Sequence, residues 1–388
     1  MTAVDLPVID DYRRLFLNGV PLMDVRAPVE FDQGAFPRAE NHPLIDDAER
    51  HEIGIRYAEA GQDAAAALGH RLVDGPTKAA RVAAWAAFAR RHPGGALYCF
   101  RGGMRSRISQ RWLYEATGVR YPRVRGGYKA LRRFLLEELE ASAARIRPLI
   151  IGGRTGVGKT RVLQRLDPAL DLERLAWHRG SAFGRHATPQ PGQVDFENAL
   201  SVALLRHRAA GNGLLAVEDE SRAIGSRHIP PPLFEALKRA PLVLVETGLE
   251  ERVGNILQEY VVDALAEHRA QHGARTGWER WVTDLLDSLD RIRKRLGAAR
   301  HASLRALMAE ALEHQRHSGE TGPHRVWIRT LLAEYYDPMY DYQIERNRSR
   351  ICFTGGPAEV VDEVVRMQAV AGAVDFPVQE PTLGAPAR

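Results

Sequence analysis

The chain has 388 residues, and at about 100–200 residues per domain that length supports two or three separate cores. Hydrophobic residues at 45% and charged residues at 27% are ordinary globular proportions, which excludes collagen-like, coiled-coil and wholly disordered chains. The formal charge is only +5, no apolar run approaches the roughly 18 residues of a membrane span, and the start, MTAVDLPVIDDYRR, lacks the order of a secretory signal, so a cytoplasmic protein without a membrane partner is expected.

In chain order, VPLMDV (20–25) and ALYCF (96–100) predict strands and KAARVAAWAAFARRH (78–92) predicts a helix, an α/β alternation. LRRFLLEELEASAARI (131–146) is amphipathic and stops at Arg147-Pro148, which places a domain boundary near 140–147. A second α/β series follows, with strands expected at LIIGG (149–153), LLAVED (214–219) and PLVLVET (241–247). Beyond 250 the apolar residues recur at helical spacing, and the last twelve residues, rich in Pro, Gly and Ala, are expected to fray. Two cysteines, Cys99 and Cys352, cannot form a disulfide framework; Cys352, between Ile351 and Phe353, is expected in the core.

Cys99 closes a predicted strand and is followed by Phe100, Arg101, Gly102, Gly103, Met104, Arg105 and Ser106, which lead into a helix. A loop in that position turns backbone N–H groups inward, and the helix N-terminus adds its positive end, so an anion is stabilised at the centre. Arg101 and Arg105 place full positive charge beside the sulfur, which favours the thiolate. Two chemistries share such a loop. Cys, five residues, then Arg matches the cysteine phosphatases, in which the thiolate attacks phosphorus; the same arrangement serves sulfurtransferases, in which it attacks a chalcogen.

Gly153-Arg154-Thr155-Gly156-Val157-Gly158-Lys159-Thr160 fits the phosphate-loop pattern G-x-x-x-x-G-K-[ST] between a predicted strand and a predicted helix. Its N–H groups would wrap a diphosphate, Lys159 would neutralise it, and the Thr160 hydroxyl would face a Mg²⁺ ion where one binds. The strand at 214–217 leads into Glu218, Asp219 and Glu220, of which one is expected to face a metal or a water; His178 is a candidate acid or base nearby. The motif specifies a diphosphate and leaves kinases, NTPases and enzymes that displace diphosphate open.

Charge is unevenly spread: from Arg101 to Arg133 there are ten basic residues and one acid, Glu115. Arg107, Arg111, Arg123, Arg125, Lys129, Arg132 and Arg133 are therefore candidates for contacts with a polyanion.

MDVRAPVEFDQGAFPRAEN (23–41) resembles the opening motif of the rhodanese sulfurtransferases, and VRGGYKALRRF (124–134) resembles their closing segment. The departure is one extra residue between Cys99 and Arg105 compared with many single-domain rhodaneses. A rhodanese segment joined to a phosphate-loop segment, together with His178–Gly184, Glu218–Gly225 and Tyr335–Gln343, resembles the tRNA 2-selenouridine synthase family over about residues 8–366. That resemblance implies an α/β fold in three parts: a rhodanese-like domain at 1–140, a P-loop NTPase-like domain at 141–250, and a mainly helical region at 251–388 packed on it. It also implies action on wobble 2-thiouridine in tRNAs for Lys, Glu and Gln, held by the anticodon stem-loop. Geranyl would be transferred from geranyl diphosphate to sulfur, and the S-geranyl group then replaced by selenium from selenophosphate, carried on Cys99. Both are co-substrates and no permanently bound cofactor is implied; the sequence leaves the oligomeric state open, a monomer included. The rival enzyme is an ATP-dependent tRNA sulfurtransferase with a Cys99 persulfide, and the non-catalytic rival is an anion-sensing module.

Overall fold

The computed structural model describes residues 5–211 and 213–373; the segment expected to fray lies outside them. The first unit is a parallel sheet of β1 (Val8–Ile9), β2 (Leu22–Asp24), β3 (Ala39–Asn41), β4 (Ala96–Tyr98) and β5 (Arg123–Val124), ordered β1-β5-β4-β2-β3. Its helices are α1 (Tyr12–Leu17), α2 (Pro28–Asp32), α3 (Asp47–Leu72), α4 (Gly75–Arg91), α5 (Met104–Thr117) and α6 (Gly127–Ala143). Central strand β4 is buried at every residue, as a parallel strand covered on both faces requires. α6 turns Leu131, Leu135 and Leu139 inward at four-residue spacing.

The second parallel sheet contains β6 (Arg147–Gly152), β7 (Ala169–Leu170) and β8 (Leu214–Glu218), with a small β9–β10 hairpin (Ala223–Ile224, Arg227–His228) outside it, then β11 (Leu242–Val245) and β12 (Ile351–Gly355). Its order, β12-β11-β6-β8-β7, leaves β6 flanked by strands that enter from opposite sides, and the crevice at the carboxyl ends of such strands is where ligands bind. Around it run α7 (Lys159–Leu163), α8 (Leu172–Ala176), α9 (Gln193–Ala209) and α10 (Pro231–Arg239).

The helical part is α11 (Leu249–Ile256), a π-helical stretch (Leu257–Asp263), α12 (Ala264–His272), α13 (Ala274–Arg291), α14 (Arg293–Leu296), α15 (Ala298–Ser318), α16 (His324–Leu331), a second π-helical stretch (Leu332–Tyr336) and α17 (Asp337–Arg346). It closes around Trp281, Met308 and Trp327. The chain then returns: β12 pairs with β11, and α18 (Pro357–Ala373) packs Val360, Val361 and Val364 against Leu149 and Ile151 of β6. The expected division at 250 is thus redrawn, since residues 351–373 complete the phosphate-loop sheet. Cys352 is also corrected from core to exposed, because β12 is an edge strand whose side chains alternate outward.

One helix joins the two sheets. α9 buries Phe196, Leu200 and Leu204 in the second core and Val202 and Leu205 in the first, so its apolar residues serve two faces, as a helix shared by two cores requires. Fully buried Asn198 donates to the Ala35 carbonyl at 2.6 Å and accepts from Arg132 at 2.8 Å. No described helix is long and apolar enough to cross a membrane.

Candidate active centres: a cysteine loop and a phosphate loop

Cys99 sits just past the carboxyl end of β4, and its loop runs into α5 through Gly103 at the helix N-cap. The thiol donates to Ser106 Oγ at 3.2 Å, and Ser106 in turn donates to the Gly103 carbonyl at 3.1 Å. Although 3% exposed, Cys99 lines a half-open cavity together with Arg101 and Arg105. The 126–129 segment clamps the loop: Tyr128 N–H donates to the Cys99 carbonyl at 2.9 Å and Lys129 N–H to the Phe100 carbonyl at 3.0 Å. Gly127 has φ +59°, and a Cβ there would lie 2.1 Å from the Cys99 carbonyl oxygen, so only glycine allows this approach.

Arg105 is held by Glu30 of α2 through bonds of 2.5 and 3.0 Å. Burial alone would lower its basicity; the hydrogen bond and charge of Glu30 outweigh that and raise it, with further contributions from Cys99 and Asp24. Asp24 and Arg26, from the Asp-Val-Arg stretch, form a buried ion pair with Arg26 stacked 4.0 Å from the Tyr128 ring. That pair braces the loop rather than facing it. Arg101, Arg107, Arg111, Arg125, Lys129 and Arg133 are exposed. Arg123 donates to the Gly102 carbonyl, and burial followed by the charges of Arg107 and Arg125 lowers its pKa, as in a cationic patch short of anions. Arg132 is a correction: its guanidinium is tied to Asn198 and Glu197 across the joint between the units, because that joint needs a donor for a buried amide.

The phosphate loop follows β6 at the crevice. Gly156 has φ +83°, and a Cβ would press on the Arg252 carbonyl at 2.9 Å. Lys159 Nζ donates to the Gly153 carbonyl at 3.3 Å and lies 5.7 Å from the Tyr340 ring centroid. Burial opposes its charge, yet Tyr340, Glu220, Glu173 and Asp219 together raise its pKa above the usual lysine value. Arg154 is paired with Asp341 at 2.7 Å, Arg252 with Asp337 at 2.6 Å, and Asn255 donates to the Gly156 carbonyl at 2.8 Å. The tyrosine-rich block of α17 thus closes on the loop. Val157 is buried beneath it and Thr155 is nearly so.

Of the three acids at the end of β8 and just beyond it, Glu218 and Glu220 face the site and are joined by Glu173 of α8; their oxygens lie within 4.8 Å of one another. Thr160 Oγ1 is 3.5 Å from Glu173 Oε2. Glu218 Oε1 accepts from the Glu173 N–H at 2.6 Å, while its Oε2 is buried without a partner. Burial first, then the charge of Glu220 on Glu173 and of Glu173 and Glu220 on Glu218, push both well above the usual carboxylate range. Asp219 stands apart, against Gly152. An all-oxygen donor set with an orphaned buried carboxylate oxygen fits a hard divalent cation such as Mg²⁺. His178 is buried among Arg185, Arg291, Arg179 and His186; burial, then those charges, bring its pKa down to about 4, which disfavours its charged form, and its Nδ1 has no partner.

Sequence reasoning missed Glu173, since a glutamate at the start of a short helix carries no motif. It also missed Glu259, in the π-helical stretch after α11, whose pKa burial and then Glu173 push up to about 7.

Residues 146–370 match a family described as "tRNA 2-selenouridine synthase AAA domain". Proteins named tRNA 2-selenouridine synthase resemble the chain at 55% identity in Bordetella bronchiseptica and 53% in Cupriavidus pinatubonensis, each over 91% of this chain and 96% of the relative. Another from Marinobacter nauticus is 52% identical over 93% of this chain and 98% of its own. The chain belongs to the tRNA 2-selenouridine synthase family. The alignment with these relatives spans both the Cys99 loop and the phosphate loop.

Proposed function

We propose that the chain is a tRNA-modifying transferase that converts wobble 2-thiouridine to 2-selenouridine in two steps, one at each centre. The observation that carries this reading is the joining, through α9, of a cysteine–arginine loop to a complete phosphate loop in one body. Sheet order and the Cys99 loop after its central strand support a rhodanese-like first unit.

At the phosphate loop, the loop N–H groups and Lys159 bind the diphosphate of geranyl diphosphate. The allylic C–O bond breaks as a C–S bond forms to the thio sulfur, and the charge growing on the departing diphosphate is met by fixed donors. Arg154 and Lys159, restrained by Asp341 and Tyr340, are positioned for that anion. Glu173, Glu218, Glu220 and Thr160 would hold a Mg²⁺ ion, which would add Lewis-acid stabilisation of the leaving diphosphate.

At Cys99, S-alkylation has made C2 of the base more electrophilic and its sulfur a better leaving group. The C2–S bond breaks, a C2–Se bond forms, and geranylthiol departs. Selenophosphate supplies the selenium and leaves as phosphate, with water supplying the oxygen that replaces selenium on phosphorus. Arg101 and Arg105 hold the anionic donor beside the thiol. The exposed basic residues grip the anticodon stem-loop of tRNAs for Lys, Glu and Gln through phosphates, leaving the unstacked base free to enter.

The test is mass spectrometry of tRNA nucleosides after incubation with geranyl diphosphate and selenophosphate, each alone and then together. S-geranyl-2-thiouridine with the first alone and 2-selenouridine with both, without ATP consumption, is expected. ATP-dependent formation of 2-thiouridine instead would establish the sulfurtransferase.

A further inference from the structure

The cavity over Cys99 has about 940 Å³, at the upper end of the roughly 300–1,000 Å³ usual for small-molecule sites. Neither a phosphate-like anion nor a pyrimidine explains its walls. Ile53, Ile55, Tyr57 and Ala65 of α3 face Ile108 and Trp112 of α5 across it, while Cys99, Arg101 and Arg105 form one polar end and Arg50, His51, Gln62 and His70 add polar groups along α3. Three large apolar side chains lie open at this one site: Ile55 is 47% exposed, Tyr57 59% and Met104 44%. Apolar surface gathered around a reactive centre favours an occupant that covers it.

The wall is built as an arm rather than as core. α3 is anchored at its start by Asp46 and Glu49, which exchange hydrogen bonds of 2.8 Å, and by Arg81, which donates to Glu49 at 2.7 Å. It breaks at Gly61, where φ is +77°, and residues 54–63 are all exposed. A helical stretch with an apolar inner side and no core beneath it gains its packing partner from a ligand. The cavity beside the phosphate loop, lined by Thr155 and Tyr260, is only about 20 Å³.

We propose that this cavity seats the prenyl chain carried on the sulfur of the substrate base during selenium insertion, and that the prenyl group serves as the recognition handle for Cys99. The assignment rests on the two-step reading above. It makes the first step a tagging reaction: only a base bearing the chain fills the cavity and is drawn down to the thiol.

The experiment compares two anticodon stem-loop RNAs, one with S-geranyl-2-thiouridine and one with S-methyl-2-thiouridine, each with selenophosphate, by nucleoside mass spectrometry. The leaving groups are chemically alike, and only the chain differs. The wild-type protein should prefer the geranyl RNA by more than about tenfold in kcat/KM. Ala58→Trp, at an exposed helical position on the cavity wall, should remove most of that preference, and Ile55→Ser should reduce it by a smaller factor. Equal kcat/KM for the two RNAs in the wild type overturns the assignment while the two-step reading stands. So does an Ala58→Trp protein that keeps the preference but shows a raised KM for geranyl diphosphate in the first step, since the cavity would then belong to the donor. Conversion of neither RNA removes the two-step reading, and the cavity assignment with it.

Discussion

The two centres solve opposite electrostatic problems. Around Cys99 the charge is cationic, with Arg105 braced by Glu30 and a patch of exposed arginines outside it. Around Lys159 it is built from acids, and burial first, then their mutual proximity, raises the pKa values of Glu173 and Glu218. The first arrangement suits a chain that must hold anions without help. The second suits one that takes up a cation together with its anionic substrate. One polypeptide therefore keeps two sites of opposite character apart, and it fixes them to each other by burying a shared helix.

The sharpest way to break this division is to remove the sulfur. Cys99→Ala should lower selenium incorporation by about 10³-fold or more while S-geranylation continues, because the lost group acts only in the second step. Loss of both activities in a protein of unchanged thermal stability would mean that the centres are one. The reciprocal substitution is smaller in effect: Lys159→Ala should slow geranyl transfer by about 10²–10³-fold, the usual cost of one donor to a developing anion. Its conversion of RNA that already carries the geranyl group should proceed, as measured in the same assay.

The acid cluster sharpens the comparison through pH. A Glu218 pKa raised above the ordinary value of 4.5 means that, without a cation, the folded protein retains a proton that the unfolded chain gives up, so this group's contribution to stability falls as pH rises through that window. A cation must displace the proton. Affinity for Mg²⁺ should thus climb by up to about tenfold per pH unit for each proton released, and calorimetry at pH 7, below the Glu173 value of about 8, in buffers of different ionisation heat should register the release. Glu218→Gln should flatten the dependence; a pH-independent affinity in the wild type would refute the protonated cluster.

Legibility in the sequence followed contiguity. The Cys99 loop and the phosphate loop are short runs whose residue types and order specify their backbone, so their strands and helices were readable directly. The partners that complete them are distant: Glu30 lies 75 positions from Arg105, and Asp341 lies 187 positions from Arg154. Nothing local in a lone glutamate or in a tyrosine-rich helix tells which loop it will reach. β12 was hidden for a related reason: ICFTG is a short edge strand after a long helical stretch, and only its pairing with β11 returns it to the sheet. Composition also misplaced Arg132, because a basic run records charge but not which member a buried amide will recruit.

That last distinction yields the smallest and most discriminating effect. Arg107 and Arg132 belong to the same basic run, yet one is exposed and the other is engaged by Asn198 and Glu197 at the joint. Arg107→Ala should weaken RNA binding similarly across sequences and reduce the slope of log affinity against log salt by about one, the signature of a lost phosphate contact. Arg132→Ala should leave the salt slope in place and instead lower stability by about 1–3 kcal/mol, because the Asn198 carbonyl loses its donor in the interior. Denaturant unfolding and salt-dependent RNA binding on the two variants separate the roles, and a reduced slope for Arg132→Ala would move that residue back to the RNA face.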